Sequence, residues 1–179
     1  LDRNGYDDSC IYGHALEGNF HFIINQSFYS ESEVQRYKKM IHEVAELVVG
    51  KYDGSLKAEH GTGRNMAPFV EYEWGTKAFN VMKRIKQIFD PQNLLNPGVI
   101  FNDDPECCFK NFKALPMLSP AHGADYEMIR AYEKLNKCIE CGFCETNCVS
   151  CGLTLSSRTR IAVQREIARL TVSGDDPAL

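Results

Sequence analysis

Five of the eight cysteines crowd into one short stretch. Cys138, Cys141, Cys144 and Cys148 follow a C-x2-C-x2-C-x3-C spacing, and Cys151 lies three residues further on. That spacing is the one bacterial ferredoxins use for [4Fe–4S] clusters, with the fourth cysteine serving the other cluster of a pair. Thiolates two residues apart can hold neighbouring irons of one cubane, because the residues between them turn the chain and aim amides at sulfur. A structural zinc site also takes four cysteines, usually as two C-x2-C knuckles roughly a dozen or more residues apart. Val149 stands where proline usually follows the fourth cysteine, and no second run occurs before Leu179. Both Cys148 and Cys151 therefore stay open as the ligand that completes a first cluster. Such clustering favours metal ligation in a reducing compartment over disulfides. Cys10, Cys107 and Cys108 have no such spacing and read as small buried or surface thiols.

A second set of residues could handle a substrate oxygen. Gly13-His14-Ala15-Leu16-Glu17-Gly18-Asn19-Phe20-His21 carries two imidazoles on either side of a glycine-containing loop. Further on comes Ala58-Glu59-His60-Gly61-Thr62-Gly63-Arg64. Two histidines and one carboxylate, here His14, His21 and Glu59, make an open divalent-metal site with a free position. His60, beside that carboxylate, would accept a proton from a bound hydroxyl. The competing reading of His14 or His21 taken singly is an ordinary half-buried histidine. His42 and His122 belong to no constellation.

The elements that must position these groups can be read from pattern. Residues 9–14 and 19–25 are apolar and β-prone and predict two strands around the Gly18-Asn19 loop. Ser30 and Glu33 form a capping box. Val34, Tyr37, Ile41, Val44 and Val48 follow at helical steps, and Gly50 ends the stripe. Residues 53–74, with Gly54, Gly61, Gly63 and Pro68, read as a long structured loop. A helix over 75–89 should turn Ala78, Met82, Ile85 and Phe89 inward and stop at Asp90-Pro91. An amphipathic helix is expected at 124–135 and another at 157–170, the latter decorated by Arg158, Arg160, Arg165 and Arg169.

At 179 residues and 44% apolar content the chain can bury one or two cores. A net charge of -4 without a basic run argues against nucleic acid as a partner. No stretch reaches the roughly 18 apolar residues that span a bilayer, so no transmembrane segment is expected. The start also lacks a signal-peptide layout. Leu1 in place of Met, with chemistry already at His14, leads us to expect a piece of a longer protein.

Three segments in this order, GHALEGNFHF (13–22), AEHGTGR (58–64) and FDPQNLLNPG (89–98), resemble the C-terminal part of the FAD-linked oxidase family. That family includes D-lactate dehydrogenases, glycolate oxidase and D-2-hydroxyglutarate dehydrogenase. The likeness covers roughly residues 9–101. The cysteine stretch is similar to the segment that follows this domain in fused flavin/iron–sulfur dehydrogenases. The resemblance implies an α+β fold. Residues 1–103 would be a substrate domain, an antiparallel sheet with helices, and 104–123 a linker. Residues 124–179 would be an all-helical, ferredoxin-like iron–sulfur segment, itself incomplete. FAD would be held mainly by a separate domain, with Asn96 in the LNPG turn as a contact. His14, His21 and Glu59 look like ligands of a Zn2+-like ion, and His60 like the base. Ile23 stands where some relatives carry a substrate-contacting Asn, Leu16-Glu17 where many carry Gly-Asp, and Val99 where Lys is common.

The expected function is then oxidation of a small D-2-hydroxy acid, with electrons leaving through [4Fe–4S] clusters on Cys138, Cys141, Cys144 and Cys148. The acceptor would be a quinone or an electron-carrier protein. The expected location is the cytoplasm, with peripheral attachment to the inner membrane face as the variant. The alternatives are a non-catalytic iron–sulfur electron-transfer or assembly module with a vestigial His–Glu site, and a zinc-stabilised interaction domain.

Overall fold

Ser30 starts the first helix by reciprocal capping. Its hydroxyl accepts from the Glu33 N–H (3.3 Å), while the Glu33 carboxylate accepts from the Ser30 N–H (3.2 Å). In this computed structural model, which describes residues 1–28, 30–110, 112 and 115–174, helix α1 runs Glu31–Ala45. It widens into a π-type turn over Glu46–Lys51. Asn111, Lys113 and Ala114 of the expected linker, and 175–179 of the expected iron–sulfur segment, lie outside the described residues.

Two compact units divide the chain, Leu1–Phe112 and Lys113–Leu179. In the first, strands β1 (Cys10–Tyr12) and β2 (His21–Ile23) pair antiparallel, with Tyr12 opposite His21. They are shorter than the expected 9–14 and 19–25. The loop leaves the ladder straight after Tyr12, and no third strand extends the sheet among the described residues. Tyr6, Met40, Ile41, Ala45, Phe69 and Phe109 form the core, with Tyr37, Val44, Leu56 and Met66 packed against it. Phe109, past residue 103, is only 6% exposed and belongs to this core.

Residues 67–74 are not loop, as expected, but helix. A 3-10 turn at Ala67–Phe69 runs into helix α2, Val70–Phe89, which is anchored by the buried Val70. Gly75 interrupts α2 with φ 73 and ψ 156, a conformation glycine reaches without a Cβ clash. Of the residues expected inward, Ala78 and Met82 are half-buried, but Ile85 (51%) and Phe89 (81%) are exposed. The periodicity is helical, yet nothing described packs over that face.

In the second unit, Asp125 caps helix α3 (Tyr126–Leu135) and Ser156 caps helix α4 (Ser157–Ser173), each accepting from a first-turn N–H. The Tyr132 hydroxyl donates to the Gln164 carbonyl (3.1 Å) and ties the two helices together. Between them the cysteine stretch is built of turns and an isolated bridge, not helix. Arg165 does not decorate α4 but is buried at 3% exposure. Among the described residues no helix is long and apolar enough to cross a membrane.

Candidate metal centre and cysteine segment

The hairpin turns sharply after Tyr12 because Gly13 has no side chain. A Cβ there would lie 2.0 Å from the Asn19 carbonyl oxygen. The strand partners thus stay close while His14 to Gly18 bulge outward, with Leu16 fully exposed at the tip. The Asn19 side-chain oxygen accepts from the His14 backbone N–H (2.9 Å), closing the loop. His21 stacks on Tyr12 across the ladder, ring centroids 5.3 Å apart and nearly parallel.

The 58–64 loop brings the carboxylate. Ala58, with φ 44, bends the chain, and the His60 N–H donates to the Lys57 carbonyl (2.8 Å). Glu59 Oε1 then lies 3.3 Å from His14 Nε2, 3.1 Å from His21 Nε2 and 3.4 Å from His60 Nε2. The ring of His21 meets those of His14 and His60 edge-on, at 5.4 and 5.0 Å. One donor atom from each of His14, His21 and Glu59 lies within 4.8 Å of the others. The other carboxylate oxygen, Oε2, accepts from the Asn19 amide (2.7 Å). Glu59's own backbone N–H, with His21, His60 and His14 around it, holds its carboxyl below the ordinary carboxylate range against partial desolvation.

Two facts make this donor set suit a divalent cation. It is two imidazoles and one carboxylate with open space in front, Glu59 being 44% exposed at its side chain. His21 Nε2 is buried and makes no hydrogen bond, although it lies near Oε1. An orphaned buried nitrogen is costly without a partner. A cavity of about 500 Å3 opens beside the cluster, with His21, His60, Phe20, Leu56 and Met66 in its wall.

Asn96 sits in a turn with φ 47, built around buried Asp90. The Asp90 carboxylate accepts from the Leu94 and Leu95 N–H groups, both at 2.8 Å, and pairs with Lys86. Lys86 and those N–H groups hold the Asp90 carboxyl below its ordinary range. Arg64 donates to the Pro97 carbonyl (3.0 Å) and the Ile100 N–H reaches the Gly63 carbonyl (3.4 Å), so the 58–64 loop and the Asn96 turn are stitched together.

All eight cysteines are free thiols. Cys141, Cys144 and Cys151 are exposed, while Cys138 and Cys148 are half-buried. The Glu140 N–H lies 3.4 Å from Cys138 Sγ, and Cys148 Sγ faces the Ser150 hydroxyl at 3.1 Å. Ser150, through its side chain and then its backbone, together with Ser157, lowers the Cys148 thiol to about 6. Arg165 donates to the Leu135 and Cys138 carbonyls (2.5 and 2.7 Å) and pairs with Glu140 (3.2 Å). Arg158 pairs with Glu145 (3.1 Å), which also accepts from the Ser156 hydroxyl (2.6 Å). Side chains of α4 and its cap thus hold the cysteine stretch at its start and at Glu145.

Pattern reading did not find Asn19, Arg64, Asp90 or Arg165. Asn19 and Arg64 lie inside the quoted motifs, but only the folded contacts give them work. Arg165 had no signal beyond its place on an amphipathic helix.

Residues 2–100 match the model of the family described as FAD linked oxidases, C-terminal domain. The chain belongs to the FAD-linked oxidase family. It is 35% identical over 100 residues to glycolate oxidase subunit GlcD of Bacillus subtilis, a match covering 55% of this chain and 21% of that protein. It is 33% identical over 99 residues to the mitochondrial D-lactate dehydrogenase [cytochrome] of Arabidopsis thaliana, covering 55% of this chain and 17% of that one. It is also 33% identical over 91 residues to D-2-hydroxyglutarate dehydrogenase of Stutzerimonas stutzeri, covering 50% and 20%. The matched part thus spans about a fifth of each relative's length. No solved structure matches the chain.

Proposed function

We propose that this chain is the proton-abstracting and cation-holding part of a flavin-dependent dehydrogenase of a small D-2-hydroxy acid, joined to an iron–sulfur exit for electrons. The observation that carries this reading is the meeting of His14, His21 and His60 around one oxygen of Glu59, with His21 Nε2 buried and unbonded. The names of the relatives support the substrate class, since glycolate, D-lactate and D-2-hydroxyglutarate all carry a hydroxyl beside a carboxylate. His14, His21 and Glu59 hold a Zn2+-like ion, Asn96 touches the flavin, and Cys138, Cys141, Cys144 and Cys148 hold a [4Fe–4S] cluster. When bound, these groups would supply Lewis acidity toward a substrate hydroxyl, a hydride acceptor, and one-electron passage to a quinone or carrier protein, respectively.

The chain's own residues do the rest. His60 Nε2 takes the hydroxyl proton, and Glu59 beside it stabilises the imidazolium that results. Tyr12 keeps His21 from swinging away, and the Arg64 stitch keeps His60 in register with the Asn96 turn. The spacing of the cysteines and the grip of α4 support the electron-exit role. We place the protein in the cytoplasm, or at the inner face of a membrane if a quinone is the acceptor.

In the enzyme complete with its flavin-binding part, His60→Ala should lower kcat on D-lactate or D-2-hydroxyglutarate by about 10²–10⁴-fold and leave metal content unchanged. Undiminished turnover would remove His60 from this role. Anaerobic reconstitution with iron and sulfide should give a brown protein, and Cys141→Ser should abolish the colour. A colourless wild-type protein would sink the electron-exit reading.

A further inference from the structure

The geometry points to Asn19 as a positioning residue that aims the Glu59 carboxylate. Its amide donates to Glu59 Oε2 (2.7 Å) and leaves Oε1 as the oxygen that faces all three imidazoles. Its side-chain oxygen meanwhile accepts from the His14 backbone N–H (2.9 Å). One side chain therefore links the hairpin loop that carries His14 to the carboxylate on a loop forty residues later.

The physical need is clear. A carboxylate has two equivalent oxygens and rotates freely when it is 44% exposed. Rotation would carry Oε1 away from His21 Nε2, which it approaches to 3.1 Å. A hydrogen bond to a charged oxygen is among the stronger ones. The Asn19 backbone is placed by Gly13, whose missing Cβ lets the Asn19 carbonyl cross the hairpin, and its side chain is held by the His14 N–H on the oxygen side. The result is a carboxylate presented through one oxygen, with its second oxygen already satisfied. Partners of this kind raise metal affinity by orienting a ligand they do not replace.

This inference rests on the proposed reading of His14, His21 and Glu59 as cation ligands, and the test separates the two. Mn2+ is titrated into the chain and the free-ion signal is followed by electron paramagnetic resonance. A hard ion is chosen because thiolates compete poorly for it. Four variants are compared with the wild type: Glu59→Ala, His21→Ala, Asn19→Ala and Asn19→Asp. Asn19→Ala removes both hydrogen bonds. Asn19→Asp keeps an oxygen for the His14 N–H but replaces the donor facing Glu59 with a second carboxylate.

The expected result is loss of Mn2+ binding in Glu59→Ala and His21→Ala, and a drop of about 10-fold or more in both Asn19 variants. Circular dichroism and thermal melting should show both Asn19 variants folded. If Asn19→Asp binds Mn2+ as well as wild type or better, Asn19 merely closes the hairpin and the proposal is overturned. Wild-type affinity in Asn19→Ala overturns it too. If Glu59→Ala and His21→Ala still bind Mn2+ like wild type, the cation reading itself fails, and the role of Asn19 with it.

Discussion

At the scale of single residues, the chemistry depends on backbone that only certain side chains permit. Gly13→Ala would drive a Cβ into the Asn19 carbonyl, and backbone cannot yield as a flexible side-chain tip can. We expect it to destabilise the first unit by about 1–3 kcal/mol, read as a lower melting temperature, and to weaken cation binding together with it. The half-buried Cys108 thiol behaves differently from Cys148. Desolvation by burial, with Cys107 beside it, pushes Cys108 up from 9.0 to about 11. A thiol that holds its proton more tightly in the folded chain stabilises the fold below its unfolded value. That contribution is lost as pH rises from about 9 through about 11. The gap in melting temperature between wild type and Cys108→Ala should therefore narrow over that range, and a gap independent of pH would contradict the assignment.

At the scale of elements, the capping box at Ser30 and the stripe from Val34 to Val48 were legible because both are local. A cap and a periodicity need no knowledge of what packs against them. The hairpin around Gly18-Asn19 was legible for the same reason. The helix over 67–74 was not, since Pro68 and Gly75 are breaker signals, and the burial of Phe69 and Val70 overrides them. The pairing of His14, His21 and Glu59 could be suspected from types and order. The work of Asn19, which depends on two loops meeting, could not. Arg165 is the sharpest case, a charged residue at a helical position that reads as surface and turns out to hold the Cys138 carbonyl. Arg165→Met should cost on the order of 3 kcal/mol, because it removes a buried cation's ion pair with Glu140 and its hydrogen bonds to the Leu135 and Cys138 carbonyls. It should also lower the yield of reconstituted cluster. Thermal melting and iron content check the two effects separately.

At the scale of the whole molecule, the first unit exposes a line of apolar side chains on and after α2: Val81, Ile85, Ile88, Phe89, Leu94 and Leu95. We expect these side chains to promote self-association in solution. Val81→Lys with Ile88→Lys should change the stability of the chain by no more than about 0.5 kcal/mol, since both positions are exposed. It should also reduce aggregation in light scattering, and an unchanged scattering profile would show that this face is not what associates. The proposed chemistry stands on one convergence, that of the hairpin imidazoles with the carboxylate of the 58–64 loop. A crystal of this chain soaked in Mn2+ and measured for anomalous scattering tests it most directly. The predicted result is a single ion bound by His14 Nε2, His21 Nε2 and Glu59 Oε1. A map with those three side chains clearly resolved, pointing apart and without an ion between them, would contradict it.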